Sequence, residues 1–342
     1  MQMTRHLITL EASGQSFPCE VGDTVLRAAL RAGIAFPYEC SSGGCGSCQF
    51  ERVSGELEEL WPQAPGLSLR ARERGRLLAC QAVPRGDCTL RVRLKADCQP
   101  SLRPTRRRAT LVSRTRLTAD MAEFSFRAGD PAHFLPGQYA LLDLPGVAGA
   151  RAYSMSNLPN DDGLWQFVIK QIGAGRGGIA LFEGLQPGDT IGLDGPYGMA
   201  HLRTDNDRDI VCVGGGSGIS PLLSILAAAA RAPQLASRRL LLFYGGRTPA
   251  DLCAPALLAR DEALAARVEC VTAISDSAYA GAWEGQRGFV HQVLQGWLES
   301  AGDASGYDYY FCGPPPMTDA LQRLLMLEKR VPTAQLHFDR FV

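Results

Sequence analysis

Four cysteines constrain this chain more than any other feature. Cys40, Cys45 and Cys48 lie in the run Glu39-Cys40-Ser41-Ser42-Gly43-Gly44-Cys45-Gly46-Ser47-Cys48-Gln49, and Cys80 follows in Leu78-Ala79-Cys80-Gln81. A C-x4-C-x2-C run with a distant fourth cysteine is a ligand spacing for a [2Fe–2S] cluster. Three thiolates must converge on one small cluster from a single loop, so the loop must bend sharply. Gly43, Gly44 and Gly46 offer the positive φ values and close backbone approach that this bend needs. Their amides, with those of Ser41, Ser42 and Ser47, are then available to hydrogen-bond the sulfurs. Structural zinc also takes four cysteines, but usually as two close C-x2-C pairs, whereas Cys80 stands alone.

The 342 residues suffice for two or three domains. With 46% apolar and 20% charged residues, disorder is not a serious option. The formal net charge is zero, which removes any general argument for nucleic-acid or membrane binding. Residues Met1 to Ser13 mix polar and apolar side chains without a secretory apolar core. The longest mostly apolar run, Pro221 to Ala230, is too short to span a bilayer and reads as a buried helix. Eleven cysteines without an export signal fit a reduced, cytoplasmic protein.

Along the chain, His6–Leu10 and Ser16–Val21 read as strands joined at Ser13-Gly14. Thr24–Ala32 follows as a helix, with Asp23 as N-cap and Gly33 after its end. Phe50–Val53 and Leu90–Leu94 are further strands. This succession within residues 1–98 resembles the β-grasp fold of plant-type ferredoxins. Residues 99–108, with Pro100, Pro104 and Arg106-Arg107-Arg108, read as a linker. The arginines suit an acidic partner or a cofactor phosphate, or a solvated start to the next strand. Residues 109–204 show short strands broken by Gly and Pro, the pattern of a small antiparallel barrel.

From residue 205 to 342, strands and helices alternate: Ile210–Val213, Pro221–Arg231, Arg239–Tyr244, Pro255–Arg267, Val268–Ala273, Val290–Glu299, Tyr307–Cys312 and Pro316–Lys329. That alternation implies a doubly wound parallel sheet with helices on both faces. The fold expected is therefore multidomain, α+β and α/β.

Three further segments carry chemistry. Arg151-Ala152-Tyr153-Ser154 offers a cation for a diphosphate, an aromatic ring for a flat cofactor, and a hydroxyl for a ring nitrogen. Gly173–Gly178 precedes an expected helix at Ile179–Glu183, a phosphate-binding arrangement. Val213-Gly214-Gly215-Gly216-Ser217-Gly218-Ile219-Ser220-Pro221 runs from a strand through glycines into a helix, where a pyrophosphate would sit. Taken singly, each residue also has a plain structural role: a surface arginine, a core tyrosine, a turn serine.

Together these segments resemble the ferredoxin–NADP reductase superfamily. The R-x-Y-S run and the upstream Pro136-Gly137-Gln138-Tyr139 match its flavin strands. Gly214–Pro221 and Cys312-Gly313-Pro314-Pro315-Pro316-Met317 match its two nicotinamide elements. The resemblance implies that Gln138, Tyr139, Arg151, Tyr153, Ser154, Ile169, Lys170, Gly175, Gly177 and Gly178 bind FAD. Relatives usually carry Ser or Thr at the position of Gly178, so here backbone amides must serve alone. It implies that Gly215, Gly216, Ser217, Gly218, Arg247, Gly313 and Pro314 bind the nicotinamide cofactor. Arg247 follows the second strand of that domain, where arginine can accept a 2′-phosphate. Because many NADH-using relatives also carry arginine there, NADH is expected, with NADPH possible.

By the same resemblance, Cys312 lies beside the nicotinamide and flavin rings and acts with Ser154 and Asp339 in hydride transfer. Asp339 and Phe341 complete the flavin site, Phe341 stacking on the ring. A buried strand-end cysteine and a frayed tail are the alternatives for these C-terminal features.

A nicotinamide yields two electrons as hydride, a [2Fe–2S] cluster accepts one, and a flavin can do both. Electrons would run from NADH to FAD to cluster to an external acceptor. No Cys-x-His pair is present, so the cluster is not of Rieske type, and an all-cysteine cluster lies at roughly −400 mV. Iron–sulfur, flavin and nicotinamide modules in one chain resemble the reductase components of bacterial multicomponent oxygenases. Ala28–Gly33 with Phe36–Cys40, Trp61–Ser68 and His337-Phe338-Asp339 look most like the toluene and o-xylene monooxygenase reductases. The expected partner is then a Rieske ferredoxin or the oxygenase of a diiron system, with this chain a monomer that contacts neither nucleic acid nor membrane. A reductase for a Rieske ring-hydroxylating dioxygenase is the alternative. A flavin and iron–sulfur redox sensor without turnover is a third reading.

Overall fold

A computed structural model describes residues 5–279 and 281–340. Their contacts fall into two compact units. One holds the chain up to Arg106 with Asp194–Met199; the other holds Arg107–Leu193 and the chain from Ala200.

The first unit contains β1 (Arg5–Leu10), β2 (Ser16–Glu20), α1 (Val25–Arg31), β3 (Gln49–Ser54), β4 (Leu57–Glu59), α2 (Leu69–Glu73), β5 (Arg76–Leu78), β6 (Ala82–Pro84) and β7 (Cys88–Arg91). Five of these strands form a mixed sheet in the order β2-β1-β7-β3-β5, while β4 and β6 make a separate ribbon. The parallel pairing of β1 with β7 is the non-local contact that closes the β-grasp. Val25, Leu26, Ala29 and Leu30 of α1 are fully buried.

Thr24, not Asp23, caps α1, its side chain accepting from the Arg27 amide at 3.3 Å. Asp23 is drawn inward instead. It accepts from the Thr24 amide and pairs with Arg31 at 2.9 Å and Arg106 at 2.7 Å. Arg31 also holds Asp194 at 3.0 Å. Asp23 is 2% exposed and Asp194 1%, a depth at which unpaired carboxylates are costly.

An antiparallel sheet, in the second unit apart from Thr105, Arg106 and Asp194–Tyr197, combines β8 (Thr105–Arg116), β9 (Met121–Ala128), β10 (Tyr139–Asp143), β11 (Arg151–Ser154), β12 (Leu164–Lys170) and β13 (Thr190–Tyr197). Their order is β11-β10-β13-β8-β9-β12, so β11 and β12 are the two edges of the curled sheet. Phe124, Phe126, Trp165 and Phe167 fill its interior with no exposed surface. Because β8 begins at Thr105, the last residues of the expected linker are strand, and Arg107 lies over the Trp165 ring at 5.0 Å.

A short helix, α3 (Arg176–Ile179), crosses between β12 and β13 and continues as a wider π turn over Ala180–Gly184. The remaining chain contains β14 (Asp209–Gly215), α4 (Ile219–Arg231), β15 (Leu240–Gly246), α5 (Ala254–Leu258), α6 (Glu262–Arg267), β16 (Val268–Ile274), β17 (Gln286–Arg287), α7 (Val290–Ala301), β18 (Tyr307–Gly313), α8 (Pro315–Gln322) and β19 (Leu336–Arg340).

All pairs in this second sheet are parallel, in the order β17-β16-β15-β14-β18-β19. Successive residues of a strand face opposite sides. Cys212, Tyr244 and Tyr310 therefore pack toward α4, whereas Val213, Phe243 and Phe311 pack toward α7. The helix expected over Pro255–Arg267 is two helices. Asp261 breaks it by accepting from the Ala263 and Leu264 amides, which starts α6 afresh.

Candidate cofactor sites

The four cysteines converge in the first unit as two pairs. The Cys40 and Cys45 sulfurs are 3.2 Å apart, and a Cys48–Cys80 hydrogen bond joins the other pair. The bond from Cys45 pulls the Cys40 thiol down to about 4, burial opposing. Amides of Ser42 and Cys45 point at Cys40 Sγ, and that of Ser47 at Cys45 Sγ, each at 3.4 Å. Gln81 Nε2 donates to Cys80 Sγ at 3.6 Å. Among the described residues no three His, Cys, Asp or Glu side chains form a group that could hold a metal ion. Paired thiols ringed by amide donors fit a two-iron cluster better than a single zinc ion.

The backbone explains how the loop reaches this shape. Its positive φ values fall on Ser41 (53°), Gly43 (88°) and Gly46 (78°), so Ser41 takes the third such position in place of Gly44. A Cβ on Gly46 would stand 2.3 Å from the Gly66 carbonyl oxygen, and Gly66 donates to the Gly43 carbonyl at 2.9 Å. Gly66 thus braces the cluster loop from outside the cysteine motif, a role its position in the sequence does not signal.

Several of the residues expected at the flavin come together on β10, β11 and the glycine turn. Tyr139 and Ser154 are register partners across β10 and β11, as are Ala140 and Tyr153. A Cβ on Gly177 would lie 3.0 Å from Tyr153 Oη and 3.4 Å from Arg151 Cγ, so the glycine turn packs directly on the R-x-Y-S strand. Burial pushes the Tyr153 phenol up to about 12, with Arg151 opposing, so it stays neutral and able to donate. Arg151 itself donates to the carbonyls of Ala148 and Gly149, both at 3.1 Å. A guanidinium, a neutral phenol and a glycine-rich turn form a cradle that fits a diphosphate and its ribityl chain. Gln138 accepts from the Leu135 amide at 2.8 Å. Lys170 pairs with Asp120 at 3.1 Å. The Ile169 side chain is 2% exposed in the barrel core, so a role toward FAD would fall to its backbone.

The two nicotinamide elements meet although they are far apart in sequence. A Cβ on Gly218 would fall 1.9 Å from the Cys312 carbonyl oxygen, and Met317 Sδ would lie 3.3 Å from one on Gly215. Tyr244, fully buried, donates to the Gly216 carbonyl at 2.8 Å and fixes the loop from β15. Asp339 is the register partner of Cys312 across β18 and β19. Burial, then the charge of Asp339, pushes the Cys312 thiol well up, so it is a neutral, apolar-facing group here. Arg247 is exposed after β15, and its amide goes to Asp251. Asp251 also takes the amide and hydroxyl of Thr248 at 2.8 and 3.1 Å. Phe341 lies outside the described residues.

Comparison with known proteins agrees with this layout. Family models match in order: the 2Fe-2S iron-sulfur cluster binding domain over residues 8–85, the oxidoreductase FAD-binding domain over 108–202, and the oxidoreductase NAD-binding domain over 212–323. The chain is 42% identical to ferredoxin–NAD(P)(+) reductase CarAd of Metapseudomonas resinovorans, covering 94% of this chain and 96% of that one. It is also 42% identical to the ferredoxin–NAD(+) reductase component of the alkene monooxygenase system of Xanthobacter autotrophicus, covering 96% and 98%. The solved ferredoxin reductase in carbazole 1,9a-dioxygenase superposes with a TM-score of 0.91 at 36% identity over the whole of both chains. With three cofactor modules in one order and identity sustained from end to end, the chain belongs to the iron–sulfur flavoprotein reductases of multicomponent oxygenases.

Proposed function

We propose that this chain passes electrons from NADH, through FAD and its [2Fe–2S] cluster, to the Rieske ferredoxin or oxygenase of a toluene-type diiron monooxygenase. The observation that carries the reading is the meeting of Gly218, Cys312 and Asp339, which puts a pyrophosphate loop, a small polarizable side chain and an acid together. When bound, FAD would supply the exchange between two-electron hydride chemistry and one-electron transfer. The protein supplies the rest. Arg151 offsets the diphosphate charge, and Gly177 and Gly178 keep side chains away from it at the start of α3. Tyr153 packs along the cofactor, and the Ser154 hydroxyl orients the ring. Cys312 lets two flat rings approach over a small neutral group. Asp339 holds or takes up a proton at its carboxyl oxygen.

NADH is favoured over NADPH by the NAD(+) named for the alkene-system relative. The ratio of kcat/KM for the two nucleotides tests this preference. We take the working protein to be a cytoplasmic monomer, which gel filtration of the holoprotein checks.

An anaerobic NADH titration followed by visible absorption and EPR tests the electron path. The expected result is flavin bleaching followed by a reduced [2Fe–2S] signal. Bleaching without a cluster signal would remove the cysteines from the path and end the oxygenase-reductase reading. The likeness to the carbazole-dioxygenase reductase favours a second reading, service to a Rieske dioxygenase. Turnover with purified diiron-hydroxylase and Rieske-oxygenase systems in turn decides between them.

A further inference from the structure

The barrel sheet has a seam where its edge strands β11 and β12 face each other. Below the seam, Ser156 donates its amide to the Gln166 carbonyl at 2.8 Å, a direct backbone closure. Level with Ser154, a side chain from the nicotinamide domain does the bridging. Ser220, in the first turn of α4, donates its hydroxyl to the Ser154 carbonyl at 2.7 Å. The Ser220 hydroxyl oxygen in turn accepts the Val168 amide of β12 at 2.9 Å. Ser220 is 2% exposed, and both bonds are buried. One turn later, Ser224 donates to the Asn157 carbonyl at 2.7 Å.

We propose that Ser220 is a positioning residue for hydride transfer. Its hydroxyl ties the helix that follows Gly218 to the backbone of the residue assigned to the flavin ring. The proposal rests on the electron-transfer reading above. The donor loop and the acceptor strand then move as one piece, which sets the approach of the two rings. Small displacements of reacting groups are expensive in rate. Ser224 anchors the same helix by an equivalent bond, but to Asn157, beyond the flavin segment. A purely structural role would make the two serines equivalent; a positioning role separates them.

The experiment compares wild type, Ser220→Ala and Ser224→Ala as FAD-loaded holoproteins, by anaerobic stopped-flow reduction with NADH and with NADH dideuterated at C4. Ser220→Ala is expected to slow flavin reduction at saturating NADH about tenfold, with a larger isotope effect and unchanged FAD content. Ser224→Ala is expected to stay within about twofold of wild type while losing similar thermal stability. Equal rates in all three proteins, or equal slowing in both variants, would overturn the assignment. If Ser220→Ala does not retain FAD, Ser220→Thr decides: it keeps the hydroxyl and should keep at least about half the rate, and a tenfold loss there would overturn the proposal. A wild-type flavin that NADH fails to bleach would instead overturn the electron-transfer reading.

Discussion

Gly218 presses against Cys312 so closely that a methyl group on it would stand 1.9 Å from the cysteine carbonyl oxygen. The listener on the other side is backbone, which cannot swing away. Gly218→Ala must therefore shift the nicotinamide loop off β18. Overpacking of this kind costs about 1–3 kcal/mol. NADH-dependent flavin reduction should fall at least about tenfold, with the flavin and cluster absorbance of the purified protein retained. Wild-type kinetics would show that the loop can accommodate a side chain.

Gly177 and Arg151 lie on the same cradle and should fail in the same way. Gly177→Ala puts a methyl 3.0 Å from Tyr153 Oη, and Arg151→Ala removes the nearby cation. Charge-assisted hydrogen bonds contribute about 1.5–3 kcal/mol, so Arg151→Ala should weaken FAD binding by at least about tenfold. The flavin-to-protein ratio after gel filtration reads both variants. Full FAD occupancy in Arg151→Ala would refute the diphosphate role.

Cys45 shares its sulfur contact with Cys40, so replacing it removes a ligand from one pair only. Cys45→Ser should abolish the cluster spectrum and cytochrome c reduction while sparing NADH–ferricyanide activity, because ferricyanide can draw from flavin. Loss of both activities would mean that the cluster also holds the fold together.

Acid sensitivity should come from two half-buried histidines in the second unit. Burial, then Arg203, lowers His201 to about 4, and burial, then Arg203, His201 and Arg208, lowers His337 to about 4. His337 stacks on Tyr310 at 4.7 Å, and Arg203 donates to the His201 ring. Both folded values lie below the unfolded value near 6.5, so the unfolded chain binds more protons between them. Stability should therefore fall as pH drops from about 6.5 to about 4, and level off below. Melting temperature against pH, measured also for His201→Gln/His337→Gln, checks this. A double variant with the same slope as wild type would exclude these histidines.

Arg31 bridges two carboxylates, Asp23 and Asp194, that are almost wholly buried. Arg31→Ala leaves Arg106 to serve both. Removing one partner of a buried pair commonly costs about 3–5 kcal/mol. Urea unfolding followed by cluster absorbance should show the midpoint fall accordingly, and an unchanged midpoint would mean that water reaches the two acids.

Much of this molecule is readable from its residues because the relevant signals are local. The C-x4-C-x2-C spacing, the R-x-Y-S strand and the glycine run each encode a short stretch of backbone geometry, and strand–helix alternation encodes a parallel sheet. Even so, local reading erred where a side chain had a distant competitor. Asp23 has the chemistry of an N-cap, but Arg31 and Arg106 claim it and Thr24 takes the cap.

The sequence alone determined the order of the three modules and the class of cofactor each one takes. Only the tertiary structure decided that Gly66 braces the cluster loop, that Gly218 meets Cys312, that Asp339 lies beside that cysteine, and that Ser220 spans the barrel seam. The reason is physical. Spacing along a chain specifies dihedral angles and faces over a few residues. Which strand becomes the neighbour of which depends on the packing of whole sheets and helices, where β14 is flanked by β15 and β18 and β19 adds at the edge. Contacts made across that order leave no periodic trace in the residues that make them.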